Sequence, residues 1–208
     1  MNMPSDRYRP IDTAEYLDTD GDAIRLIRCD GLSFRNELSE CDISDSFFAH
    51  CSFSGANLPG AAFRNTVFEG CDFTNAIMDD ALFSRCRFVD CSFRGASFGR
   101  SIVRESEACD STFAYAACSD TEIRRCTLRQ CDFTETRFDD TRLTGTSFLD
   151  CRMTATEFFH TSLAGIDLSN CLLAGIRTSS GASELRGAIV DRLQASELAR
   201  ILGVEIKD

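Results

Sequence analysis

Twelve cysteines and two histidines are the residues of this 208-residue chain best suited to chemistry. Thiolates ligate metals, attack electrophiles and pair as disulfides, and imidazole moves protons. The spacing argues against each use. Zinc sites draw on C-x-x-C pairs, and the sequence has none. His50 and His160 each lie two residues after a phenylalanine, in no arrangement with a nucleophile or carboxylate that defines a catalytic group. Asp18-Thr-Asp-Gly-Asp22 has its glycine too early for a calcium loop and no closing Glu, so it reads as a polar turn. No catalytic residue, metal or cofactor is expected. The cysteines do keep an order of their own: 51, 71, 91, 131, 151 and 171 fall on a 20-residue step, with Ser111 in the one gap. That is a structural period.

A shorter period lies inside it. Steps of five from Leu38 to Leu173 meet 28 positions without insertion or deletion, and only Ala108 and Cys118 are not large and apolar. Fourteen of the 17 phenylalanines sit in this column. Two residues earlier the chain is small almost throughout, and nine of the twelve cysteines are there. A strand repeats every two residues and a helix every 3.6, so neither accounts for five. Such repeats dictate the fold. Four five-residue units close one square coil of 20 residues. The large residue plugs the axis, the small one lies against the wall, and the other three face solvent. Backbone groups pair with the coils above and below, about 4.8 Å away. The fold class is therefore all-β, a quadrilateral β-helix of about seven coils, roughly 34 Å long on that spacing. Parallel thiols one coil apart on the same wall are poorly aimed for disulfides. The axis should be underfilled near Ala108 and Cys118.

Three segments follow: residues 1–35 as an N-terminal segment and cap, 36–176 as the β-helix, and 177–208 as a linker, cap helix and dimerisation element. The register slips around Cys29–Phe34, where Gly31 permits an irregular turn. RTSSGAS at 177–183 reads as linker. Beyond it Leu193, Leu198, Ile201 and Leu202 form an apolar helix face over 194–202, stopped by Gly203. Val204 and Ile206 alternate with charge, as in a short strand. These six apolar residues are expected to cap the open core and to join two copies.

The net charge of −11 argues against a nucleic-acid binder, which needs a basic face. With no run of 18 apolar residues and no apolar leader at the N-terminus, a cytoplasmic protein with free thiols, off the membrane, is expected. The charge is segregated by side. If the 20-residue register holds, one side carries Glu37, Glu40, Asp79, Asp80, Asp120, Asp139, Asp140 and Glu157 against only Arg100 and Arg137. The side centred on Ile43, Phe63 and Phe83 carries six arginines against four acids.

The units Cys71-Asp-Phe-Thr-Asn75, Cys91-Ser-Phe-Arg-Gly95 and Cys131-Asp-Phe-Thr-Glu135 resemble the A(D/N)LXX pattern of the pentapeptide-repeat family. The resemblance covers about residues 36–176 and implies a right-handed coil. The unbroken column and the tail LRGAIVDRLQASELARILGVEI are similar to the Qnr and MfpA-type members, which bind DNA gyrase and topoisomerase IV and protect them from quinolones. The resemblance implies that this chain is a DNA mimic, dimeric through its C-terminal element, with the acidic side meeting a basic groove. Qnr members often carry projecting loops, and none is evident here. The alternative is a non-catalytic scaffold for an unrelated protein partner.

Overall fold

The computed structural model describes residues 8–12, 23–35 and 38–207. The chain winds into a parallel β-solenoid of about eight turns, closed at one end by a short helix. Two sheets form adjacent walls. One runs through Asp42–Ser44, Ala62–Arg64, Leu82–Ser84, Ile102–Arg104, Glu122–Arg124 and Arg142–Thr144. The next contains Phe47–Ala49 and its successors to Ser147–Leu149, and stacks eight strands. Single bridges make the other two walls: Ser52–Asp72–Ser92–Thr112–Asp132 and Asn57–Ile77–Ser97–Ala117–Arg137–Glu157. Every step in these ladders is 20 residues, as the cysteine spacing predicts.

The corners explain why the unit has five residues. Every fifth residue from Glu40 to Gly165 is left-handed, with φ of 49–64° at the non-glycine positions. One such residue turns the chain, and the next three-residue strand begins. The steric cost of this conformation falls hardest on β-branched side chains. None of these corners is Val, Ile or Thr, and Asp, Asn and Gly fill more than half of them. The corner amides are paired to the coil above, as in Asp45 N–H to Arg64 O at 2.9 Å and His50 N–H to Glu69 O at 2.8 Å.

The column fills the axis. Phe48, Phe53, Phe63, Phe68 and Phe73 are fully buried. On one wall Phe53, Phe73, Phe93, Phe113 and Phe133 stack at 4.5–5.1 Å between ring centroids. Rings on neighbouring walls meet edge to face, as Phe63 and Phe68 do at 5.4 Å. Both geometries suit the ring quadrupole.

The N-terminal boundary extends beyond the expected one. Ile24, Cys29 and Phe34 continue the inward column at five-residue spacing, one residue short of the Leu38 frame, and all three are buried. Strand Ile27–Asp30 pairs with Phe47–Ala49 at a 19-residue offset, and Arg9–Ile11 pairs with Ile27–Cys29 at 18. The solenoid therefore reaches back past residue 36. Gly31, at φ +66°, is an ordinary corner and not an irregular turn. The Asp18–Asp22 turn lies outside the described residues.

At the other end the 177–183 segment is more than a linker. Arg177 still bridges to Glu157, and Glu184, in a 3-10 turn at Ser183–Leu185, is buried. Its Oε1 accepts the amides of His160 at 3.0 Å and Ser179 at 3.3 Å. Helix α1 spans Arg192–Ile201, two residues earlier than expected, and Gly203 follows at φ +76°. Asp191 and Gln194 form a reciprocal capping box that sets its start. The plug is polar: Gln194 is buried and its Nε2 donates to Leu168 O at 2.9 Å and Cys171 O at 2.6 Å. These are carbonyls of the last coil that no further strand satisfies. Val204 and Ile206 form no strand and are exposed.

Candidate interaction surface

The cysteines are part of the wall. Cys71 Sγ donates to Phe48 O at 3.5 Å, Cys91 to Phe68 O at 3.5 Å and Cys151 to Leu128 O at 3.3 Å. The equivalent Thr121, Thr136 and Thr156 hydroxyls donate to Phe98 O, Phe113 O and Phe133 O at 2.6–2.8 Å. Thus the small column is small so that it fits, and Cys, Ser or Thr so that it ties one coil to the next. All described cysteines are free thiols. Burial pushes Cys29, Cys86 and Cys118 up to about 12, so they stay protonated at neutral pH and are poor nucleophiles. Hydrogen bonding to Cys71 lowers Cys51 and Cys91 and raises Cys71 itself. Among the described residues no cluster of three His, Cys, Asp or Glu is placed to hold a metal ion.

The acidic side is the more distinctive feature. The bridge ladder from Asn57 to Glu157 runs along one wall, with Asp79 and Asp139 close by in the chain. The next corner column holds Glu40, Gly60, Asp80, Arg100, Asp120, Asp140 and His160, all left-handed, so their side chains project from one edge. These carboxylates are not equally free. Asp80 takes a two-pronged ion pair from Arg100, at 2.9 and 2.7 Å, which lowers its pKa. Glu157 pairs with Arg177 at 2.7 Å, and Asp140 lies 3.5 Å from His160. Asp79 accepts the Gly99 amide at 2.9 Å and the Ser97 hydroxyl. Glu40 and Asp120 are exposed, and the Asp120 carboxylate acts through its charge on Arg100. Asp139 is anomalous. Its Oδ1 is buried without a hydrogen-bond partner. Desolvation raises its pKa; Arg137 opposes this, and Glu157 and Asp140 add to it. Glu37 lies outside the described residues.

Part of the opposing charge is paired within the rod. Arg25 meets Asp45 at 2.9 Å, Arg64 meets Asp42, Arg124 meets Glu122, and Arg125 meets Glu105 at 3.5 Å. Sequence reasoning missed these pairs and those on the acidic side. Most join residues 20 apart, a spacing that stacks side chains on successive coils and was there to be used.

At the C-terminal end Leu193, Ile201, Leu202, Val204 and Ile206 are exposed, together with Ile189 and Leu172. Leu198 is the exception among the expected dimerisation residues: it packs against the core and serves the cap.

A four-sided parallel β-solenoid wound from five-residue units defines a class of repeat protein. The sequence profile of the pentapeptide repeat region matches residues 41–117 and 121–184, and the chain belongs to that family. A search of curated proteins finds no match. Similar solved structures include a trypsin-treated form of QnrB1, described as a plasmid-mediated fluoroquinolone resistance protein. It is 24% identical over 90% of this chain and all of its own, with a TM-score of 0.44. HetL, a pentapeptide repeat protein involved in heterocyst differentiation regulation in the cyanobacterium Nostoc, is 16% identical over 85% of this chain and 94% of its own, at 0.35. A pentapeptide repeat protein of the Arabidopsis thaliana thylakoid lumen is 17% identical over 65% and 82%, at 0.30. No described helix is long and apolar enough to cross a membrane.

Proposed function

We propose that this protein is a non-catalytic DNA mimic that binds type II topoisomerase, DNA gyrase or topoisomerase IV, in the cytoplasm and protects it from quinolone-type inhibitors. The observation that carries this reading is the edge of carboxylates at Asp80, Asp120, Asp139 and Asp140 along a rod of eight rungs. At about 4.8 Å per rung the rod is roughly 38 Å long, close to the ~34–36 Å of one DNA turn. Asp139 strengthens the reading. Its Oδ1 lacks a hydrogen-bond partner within the rod, so a donor on a binding partner would satisfy it. Two copies joined through exposed Leu193, Ile201, Leu202, Val204 and Ile206 present two such edges end to end. Titrating the protein into a gyrase supercoiling assay, with and without a quinolone, tests this. Restored supercoiling under drug, or inhibition without it, supports the mimic. No effect on gyrase and none on topoisomerase IV refutes it.

A second reading, a scaffold for an unrelated protein partner, is favoured by one observation. Arg100 and Arg177 neutralise Asp80 and Glu157, which thins the edge. Retention of a partner other than a topoisomerase, with both supercoiling assays unchanged, supports it.

A further inference from the structure

The axis of the rod is not filled throughout. A cavity of about 50 Å³ lies at its middle, lined by Phe88, Phe98, Val103, Ala108, Phe113 and Cys118 among others. Its origin is in the register. Ala108 lies between Phe88 and Leu128 in one wall. Cys118 lies in the ladder of the wall opposite, between Phe98 and Phe138. Both belong to the same coil, so two facing walls lack their plug at one level. Only Val103 and Phe113 remain to fill it. The surrounding residues register the gap. Phe88, Phe98, Ile123 and Leu128 keep 6, 6, 7 and 8% of their surface accessible, where Phe53, Phe63 and Phe73 keep none.

The polar atoms at this level are turned into the wall. Ser106 donates to Arg104 O at 2.8 Å, Thr121 to Phe98 O at 2.6 Å and Cys126 to Val103 O at 3.5 Å. Among the lining oxygens none is left to hold water, and the Cys118 thiol is only a weak hydrogen-bonding group. A volume above the ~10–15 Å³ that one water needs, with no polar partner for it, is the condition under which cavities stay dry and accept apolar guests. The missing rung at 108 also leaves the face of the Phe88 ring, stacked below on Phe68 at 5.1 Å, without a partner above.

We infer that this coil is a binding site for one small apolar molecule of a few heavy atoms, seated between Ala108 and Cys118 on the Phe88 ring. Xenon is the probe. Crystals under xenon pressure should show a single axial peak in contact with the Ala108 Cβ. In solution, saturating xenon should raise the melting temperature, because a ligand of the folded state stabilises it by mass action. Ala108→Leu, which restores the column, should abolish both the peak and the xenon-induced shift. Cys118→Met fills the same space from the opposite wall and serves where the leucine does not fold. An ordered water in the cavity, no xenon peak on the axis, or a xenon-induced shift unchanged in both filled variants overturns the assignment.

Discussion

Replacing Phe68 by alanine removes a ring from the densest part of the core. Phe68 is fully buried. It stacks on Phe48 and Phe88, both at 5.1 Å, and meets Phe63 and Phe73 edge on at 5.4 Å. The loss combines the transfer free energy of the ring with the cavity it leaves, about 3–5 kcal/mol for Phe→Ala. For a chain of this size each kcal/mol lowers the melting temperature by about 2–4 °C, so a fall of roughly 6–20 °C is expected. Phe47 is the control. It precedes Phe48 in the strand paired with that of Phe68 but points outward, half-buried, 6.4 Å from the Tyr8 ring and beneath the Arg28 guanidinium at 4.7 Å. Phe47→Ala should cost no more than about 1 kcal/mol, the value of an exposed cation–π contact. Thermal unfolding followed by circular dichroism reads both. Equal falls for the two variants would refute the inward column, since that column alone distinguishes these two phenylalanines of paired strands.

Three further outcomes are expected. Ala155→Gly, at a left-handed corner with φ +53°, should stabilise the rod by about 1 kcal/mol in urea unfolding; a destabilised variant contradicts the strain argument. Gln194→Ala leaves the Cys171 carbonyl unpaired and removes one of the two donors to the Leu168 carbonyl, so amide exchange should rise across 166–176, with the opening free energy lower by about 1–3 kcal/mol; unchanged exchange means the helix does not hold the last coil. Asp139 has its pKa raised by desolvation, so the folded state binds its proton more tightly than the unfolded state does. Stability contributed by this group therefore falls as pH rises from the unfolded carboxylate pKa through the raised folded value, and the deficit persists above it. Asp139→Asn should flatten that descent in a melting-temperature series against pH and stabilise the protein at neutral pH; a steeper descent contradicts the assignment.

The winding was legible because its cause is strict. Each plug is one large residue in five, and an unbroken run from Leu38 to Leu173 leaves no other backbone to consider. The underfilled coil was legible for the same reason, as two small residues in that run. The corners were less visible. They read merely as polar, although the exclusion of Val, Ile and Thr from every fifth position between 40 and 165 carried the signal. The N-terminal coils were hidden by short steps, one residue missing between Phe34 and Leu38 and two more in the 18-residue step from Arg9–Ile11 to Ile27–Cys29, which break a rigid count but not the stacking. The cap helix was legible, but its polar docking was not, because an apolar face was sought. The exposed ends of a coil are carbonyls, and Gln194 meets them where Leu193 does not. On the acidic side, composition counts charges but not partners. Arg100 over Asp80 and Arg177 over Glu157 emerge only when residues 20 apart are placed on successive coils.

The acidic edge is tested most directly by equilibrium binding of the wild type to DNA gyrase across a salt series. The same series is run on the variant Asp79→Lys, Asp80→Lys, Asp139→Lys, Asp140→Lys, with circular dichroism to confirm that it folds. The account predicts wild-type affinity that weakens steadily as salt rises, because the contact is one of opposed charges, and a folded variant that no longer binds. Equal binding by the two proteins, or wild-type affinity indifferent to salt, would contradict it.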